Sequence, residues 1–187
     1  MMFLKYCELL KQDYNERYLN RINFFKFIKA YLLDINFRVV VRFRIQSYFF
    51  NKNRLGRIIS IIIRNGSIKK YGVEIGLNSK IGGGLNIHHI NGIVIGDGVV
   101  IGEKFNVFQQ VTIGKKKIGY PIIGNRVTIY PGAKIIGDIS IEDEVIIGAN
   151  SVVNKNIKHS RIIAGIPATE IIKKEDFKKD VRDYERK

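Results

Sequence analysis

Two adjacent histidines, His88 and His89, are the residues best equipped for chemistry in this chain of 187 residues, which holds three histidines in all. A neutral imidazole can take a proton from a hydroxyl near neutral pH, the step an unactivated alcohol needs before it attacks a carbonyl. Neighbours in a strand-like segment face opposite ways, so the two rings are expected to do different jobs. The residues alone leave open which one acts, or whether both are surface loop histidines. His159 is the third histidine and Cys7 the single cysteine, so no ligand cluster points to a metal. Cys7 lies far from the pair, and no Ser or Cys stands out as a covalent nucleophile.

The elements that must carry the pair announce themselves by a period. An aliphatic residue recurs every six positions at Ile75, Ile81 and Ile87, at Ile95, Ile101, Val107 and Ile113, and at Ile123, Ile129, Ile135, Ile141, Ile147 and Val153, usually with Gly next. Neither a helix nor an alternating strand has this spacing; a parallel β-helix does. A second inward residue follows four places on, as at Val99, Phe105, Val111, Val127, Ala133, Ile139, Val145 and Ser151. The period breaks twice. Ile87 to Ile95 spans eight residues, two too many within the run from His88 to Val94, and Ile113 to Ile123 spans ten, which ejects a loop between Lys115 and Ile122. Loops thrown out of a rigid solenoid lie on its surface, where function concentrates.

Outside the repeats, residues 1–70 are aromatic and basic, with amphipathic helices expected near 17–33, 39–50 and 54–64 and a turn at Asn51-Lys52-Asn53. Covering the open end of the solenoid and contacting further copies are their expected roles, with contact at a membrane surface as the sharper alternative. The domains expected are thus the helical segment 1–70, a β-helix over 71–172 and a charged tail at 173–187. The formal charge of +15 is not accompanied by any nucleic-acid-binding motif, so nucleic acid is not an expected partner. Residues 1–20 hold charges throughout with no signal-peptide pattern, which leads to an expected cytoplasmic location, at most peripheral to the inner membrane face.

From Phe43 to Lys173 the chain resembles left-handed β-helix acyltransferases, most of all the serine acetyltransferases and small polysaccharide O-acetyltransferases. The resemblance rests on Val73-Glu74-Ile75, Ile81-Gly82-Gly83-Gly84-Leu85, His89 with Asn91-Gly92-Ile93-Val94-Ile95-Gly96, Gln109-Gln110-Val111-Thr112-Ile113-Gly114, and Ala164-Gly165-Ile166-Pro167-Ala168. It implies a mainly β fold, a left-handed parallel β-helix behind an α-helical segment, and transfer of acetyl from acetyl-CoA without a metal, in a homotrimer with sites between subunits. It also implies that His89 is the general base, oriented by Glu74 fifteen positions earlier, with Glu standing where relatives have Asp. His88 falls where the serine enzymes carry an Asp that contacts the acceptor, and Asn91 lies in the same acceptor run. By the same carry-over, Gly114 adjoins the thioester, Pro131 and Ala149 the pantetheine arm, and Ala164 and Gly165 the adenine end. Lys155 and Lys173, with Lys158, Arg161 and Lys174, suit the phosphates.

The resemblance breaks at the acceptor. Gly119-Tyr120-Pro121 stands where the serine enzymes have Arg-His-Pro, Lys115 replaces a Gly, and His88 replaces the Asp. A substrate carboxylate without its charged partners loses binding energy, and Tyr120 offers a ring and a hydroxyl that suit a sugar. The expected acceptor is therefore a glycan hydroxyl in surface polysaccharide synthesis, ahead of L-serine in cysteine synthesis and of a non-catalytic solenoid scaffold.

Overall fold

The computed structural model describes residues 2–117 and 119–173, in which four helices precede a parallel β-helix. The helices are α1 (Met2–Tyr18), α2 (Phe24–Leu33), α3 (Ile35–Phe50) and α4 (Arg54–Tyr71). Side chains accepting from free backbone N–H groups start the last three: Asn23 from Lys26, Asp34 from Asn36 and Phe37, and Asn53 from Gly56. Gly72, at φ 62°, ends α4 in the left-handed conformation. The helix expected over 17–33 is interrupted, since the chain turns between Tyr18 and Phe24; α3 starts earlier than expected and α4 runs on to Tyr71. None of the described helices is long and apolar enough to cross a membrane.

The first helix is not foreshadowed by an apolar stripe, because the residues it buries are Asp13 and Tyr14. Asp13 forms a bidentate pair with Arg44 of α3 at 2.8 Å and 2.8 Å, and both side chains are at most 2% exposed. The remaining valences go to the solenoid. Arg44 donates to the carbonyls of Ile81 and Gly82, and Asp13 accepts from the Leu85 N–H at 2.8 Å. The helical segment is thereby bonded into the first coil as well as covering it.

Three parallel sheets make the walls of the solenoid. The first stacks β1 (Val73–Ile75), β4 (Ile93–Ile95), β7 (Thr112–Gly114), β10 (Lys134–Ile136) and β13 (Val152–Val153). The second stacks β2 (Lys80–Ile81), β5 (Val100–Ile101), β8 (Ile122–Ile123) and β11 (Ser140–Ile141). The third stacks β3 (Asn86–Ile87), β6 (Asn106–Val107), β9 (Thr128–Ile129), β12 (Ile146–Ile147) and β14 (Arg161–Gly165), with β15 (Ala168–Lys173) antiparallel at its edge.

Every residue of the six-residue series is buried, the most exposed being Ile81 at 7%, and the second inward series from Val99 to Ser151 is buried with it. Each buried aliphatic side chain contributes about 1.5–3 kcal/mol. The period lapses after Val153, yet another coil is completed: Ile157 bridges to Ile141 and Ile163 pairs with Ile147. Residues 174–187, most of the expected tail, lie outside the described residues, and Lys173 ends β15.

Candidate active site

Counted to Val111, Ala133 and Ser151, the residues in register with Ile93, the turn from the third sheet to the first takes three residues in the later coils: 108–110, 130–132 and 148–150. In the first coil it takes five, 88–92. Ladder hydrogen bonds show which two are extra. Gly132 donates to Gln109 and Asn150 to Pro131, and the matching bond runs from Gln110 to Asn91. The left-handed position of each turn recurs as Gly92, Gln110, Gly132 and Asn150, with φ of 71°, 61°, 76° and 55°. His88 matches Phe108, on which its ring stacks, so the looped-out pair is His89-Ile90.

His89 is accordingly exposed, its ring tilted 6.3 Å from that of Phe108. The loop beneath it is fixed. Ile90 packs on the core and donates its N–H to Asn36 of α3 at 3.1 Å. Arg17 of α1 donates to the Ile87 carbonyl at 2.8 Å, and Gly92 donates to Gly72 at 2.7 Å. Asn91 takes φ 92°, a strained conformation that Asn tolerates better than most residues.

Glu74 lies on the outward face of the first sheet, paired in register with Val94, and the chain passes from His89 through Gly92 into that neighbouring strand. Among the described residues no hydrogen bond joins Glu74 to His89. His88 is half-buried and tied down: its Nε2 lies 3.0 Å from Asn106 Oδ1, and its ring stacks on Phe108 at 4.2 Å and 2°. Phe108 stacks in turn on Tyr130 at 5.0 Å.

The other expected site residues divide between two edges of the solenoid. On the edge between the third and first sheets, His89 heads a column that continues through Pro131, Ala149 and Ala164-Gly165. Gly114, Tyr120 and Lys155 lie on the edge between the first and second sheets, so one chain does not bring them to His89. A side chain added at Gly114 would meet nothing within 4 Å, which leaves an open strip where a thin ligand can lie against backbone. Tyr120 is engaged by its own chain. Its ring covers Gly96 and Gly98, where a Cβ would approach it to 2.7 Å and 2.4 Å, and the Lys115 amine stands 5.7 Å from the ring centre. Lys155 is exposed, and Arg161 is paired with Glu170 at 2.8 Å. Among the described residues no group of His, Cys, Asp and Glu could hold a metal.

Several residues around the site carry no sequence signal. Arg17, Asn36, Asn86 and Asn106 hold the histidine turn from elements far apart in the chain. Gln109, on the turn below, keeps its buried Oε1 without a partner among the described residues. Arg17 is itself held by Asp34, which also accepts from the Tyr18 hydroxyl at 2.7 Å. Burial, followed by the Asp34 hydrogen bond and charge, pushes the Tyr18 phenol up to about 12. Burial works against the Asp34 carboxylate, but hydrogen bonds from Arg17, Tyr18 and the Phe37 N–H outweigh it and hold the group below its usual range.

Residues 120–155 match the bacterial transferase hexapeptide family of six repeats. A serine acetyltransferase of Buchnera aphidicola subsp. Schizaphis graminum is 33% identical over 86% of this chain and 64% of its own length. The solved structure of a serine acetyltransferase in complex with CoA matches 90% of this chain and 70% of its own with a TM-score of 0.78 at 28% identity. That of the Neisseria gonorrhoeae serine acetyltransferase in complex with serine covers 90% of this chain and 70% of its own, with a TM-score of 0.80 at 26% identity. The chain spans less than two thirds of the length of the first of these relatives. These likenesses bear out the hexapeptide-repeat β-helix and the resemblance to serine acetyltransferases. They overturn the expected glycan acceptor and its place in polysaccharide synthesis, because the relatives and structural neighbours are serine enzymes. The ring of Tyr120, which prompted the sugar expectation, is spent on packing against its own chain.

Proposed function

We propose that this chain, a hexapeptide-repeat β-helix similar to the serine acetyltransferases, transfers an acetyl group from acetyl-CoA to the hydroxyl of L-serine. The observation that carries the proposal is the extrusion of His89 from the ladder, on the edge of the solenoid that bears Pro131, Ala149 and Ala164-Gly165 in its later coils. Pro131, Ala149 and Ala164-Gly165 project little beyond the backbone, and Gly114 faces open space, so both edges suit the thin arm of a CoA thioester. Exposed Lys155 and Lys158 suit its phosphates.

In this mechanism His89 takes the proton of the serine hydroxyl as its oxygen attacks the thioester carbonyl. Glu74 orients the ring and stabilises the imidazolium, and backbone N–H groups near Gly114 hold the charge that develops on the carbonyl oxygen. The imidazolium of His89 then returns the proton to the departing thiolate. Because the two sets of residues lie on different edges of one chain, the site is completed where copies meet, the His89 edge of one against the Gly114 edge of the next, in a trimer. Phe24, Phe25 and Leu33 of α2 and Leu55 and Ile62 of α4, all well exposed, suit further contacts between copies.

The test is thiol release from acetyl-CoA by the full chain, offered L-serine and, separately, other hydroxyl compounds. Turnover with L-serine in preference to the rest is the expected result. Turnover with another acceptor and none with L-serine would refute the assignment.

A further inference from the structure

Around His88 the hydrogen bonds favour one ring nitrogen as the carrier of the proton. A guanidinium only donates, so the Asn86 atom that Arg17 Nη1 meets at 2.8 Å is the amide oxygen, and Asn86 Nδ2 is left to donate. A backbone carbonyl only accepts, so the Asn106 atom 3.2 Å from the Lys104 carbonyl is Nδ2, and Asn106 Oδ1 must be an acceptor. That oxygen lies 3.0 Å from Asn86 Nδ2 and 3.0 Å from His88 Nε2. With two lone pairs it accepts both bonds when Nε2 carries the proton; a bare Nε2 would instead take the second N–H of Asn86 at 3.2 Å and face the Asn106 oxygen, lone pair to lone pair, at 3.0 Å, the poorer arrangement. The 3.2 Å approach of Asn86 Nδ2 to His88 Nε2 then sets two donors side by side, a consequence of both converging on one oxygen. Nδ1 keeps its lone pair and has no partner among the described residues, and the stack on Phe108 holds the plane of the ring.

We propose that Arg17, Asn86 and Asn106 are positioning residues that lock His88 as the Nε2–H tautomer, so that its Nδ1 lone pair receives an N–H of the ammonium group on an amino-acid acceptor. This rests on the serine assignment above. An ammonium carries three donors and no acceptor, and a neutral ring nitrogen is its complement. The lock also gives the helical segment a part in the site, since Asp34 holds the Nε and Nη2 of Arg17 and leaves Nη1 aimed at the turn.

The test is a long-range proton–nitrogen spectrum of the full chain with labelled imidazoles, taken where the rings are neutral, with His88 assigned by its loss in His88→Gln. The expected spectrum has Nε2 protonated and Nδ1 bare, collapsing to an exchange-averaged mixture in Asn106→Leu. An Nδ1–H tautomer in the unaltered protein would overturn the lock, whatever the acceptor. In kinetics, Asn86→Leu and Asn106→Leu should each raise KM for L-serine about tenfold, the loss of roughly one hydrogen bond, with kcat and the acetyl-CoA KM nearly unchanged. Neither should add to the effect of His88→Ala. Equal losses with and without His88 would mark a merely structural role and overturn the proposal. If L-serine is not turned over at all, the ammonium assignment falls with the proposed function, while the spectrum still decides the tautomer.

Discussion

His88 and His89 are adjacent in the sequence and opposite in circumstance. One is stacked and hydrogen-bonded on the ladder, the other lifted off it. The eight-residue interval after Ile87 shows in the sequence that two residues are in excess, but which two depends on the bond from Gln110 to Asn91 and the stack on Phe108. Partners such as Arg17 and Asn86, 69 positions apart, have no local pattern that could announce them. Gly114 is a clean test at this scale, because a side chain there meets nothing in its own chain. Gly114→Leu should leave the thermal midpoint of unfolding nearly unchanged and raise KM for acetyl-CoA at least about tenfold, close to 1.4 kcal/mol of lost binding. A large fall in the midpoint with unaltered KM would place Gly114 in packing instead.

Among the elements, α1 escaped sequence reasoning because hydrophobic periodicity is blind to a helix whose buried residues are Asp13 and Tyr14. Its attachment joins a buried ion pair to the packing of Tyr14 and Tyr18 on Phe37. Asp13→Ala would leave Arg44 charged, buried and short of its partner, and should cost about 3–5 kcal/mol of stability in urea unfolding. A loss under 1 kcal/mol would mean that the pair contributes little. The junction of α1, α2 and α3 also predicts how stability follows pH. Tyr18 has a raised pKa in the folded protein, so its contribution is whole below the ordinary value of 10.0 and is lost as pH rises towards about 12. Asp34 has a lowered pKa, so its contribution is present above the ordinary 3.8 and disappears as pH falls through the folded value. Tyr18→Phe should therefore flatten the alkaline decline in urea midpoint, and an unchanged decline would assign it to other groups.

At the scale of the molecule, the solenoid was plain from sequence because each coil repeats one steric demand, an aliphatic residue facing inward beside a small one. The added coil through Ile157 and Ile163 was hidden, since it keeps the pairing and drops the period. Acceptor choice was misjudged from Tyr120, whose ring serves the solenoid before it serves any ligand. The division of site residues between two edges predicts that copies complete one another. His89→Ala and Gly114→Leu chains, each impaired alone, should regain measurable activity when unfolded and refolded together; no recovery would place the whole site within one chain. The most direct test of the account is kcat for acetyl transfer to L-serine in the unaltered protein and in folded His89→Ala. A fall of about 10² to 10⁴-fold is expected if His89 is the base. A variant that turns over L-serine as fast as the unaltered chain would contradict it.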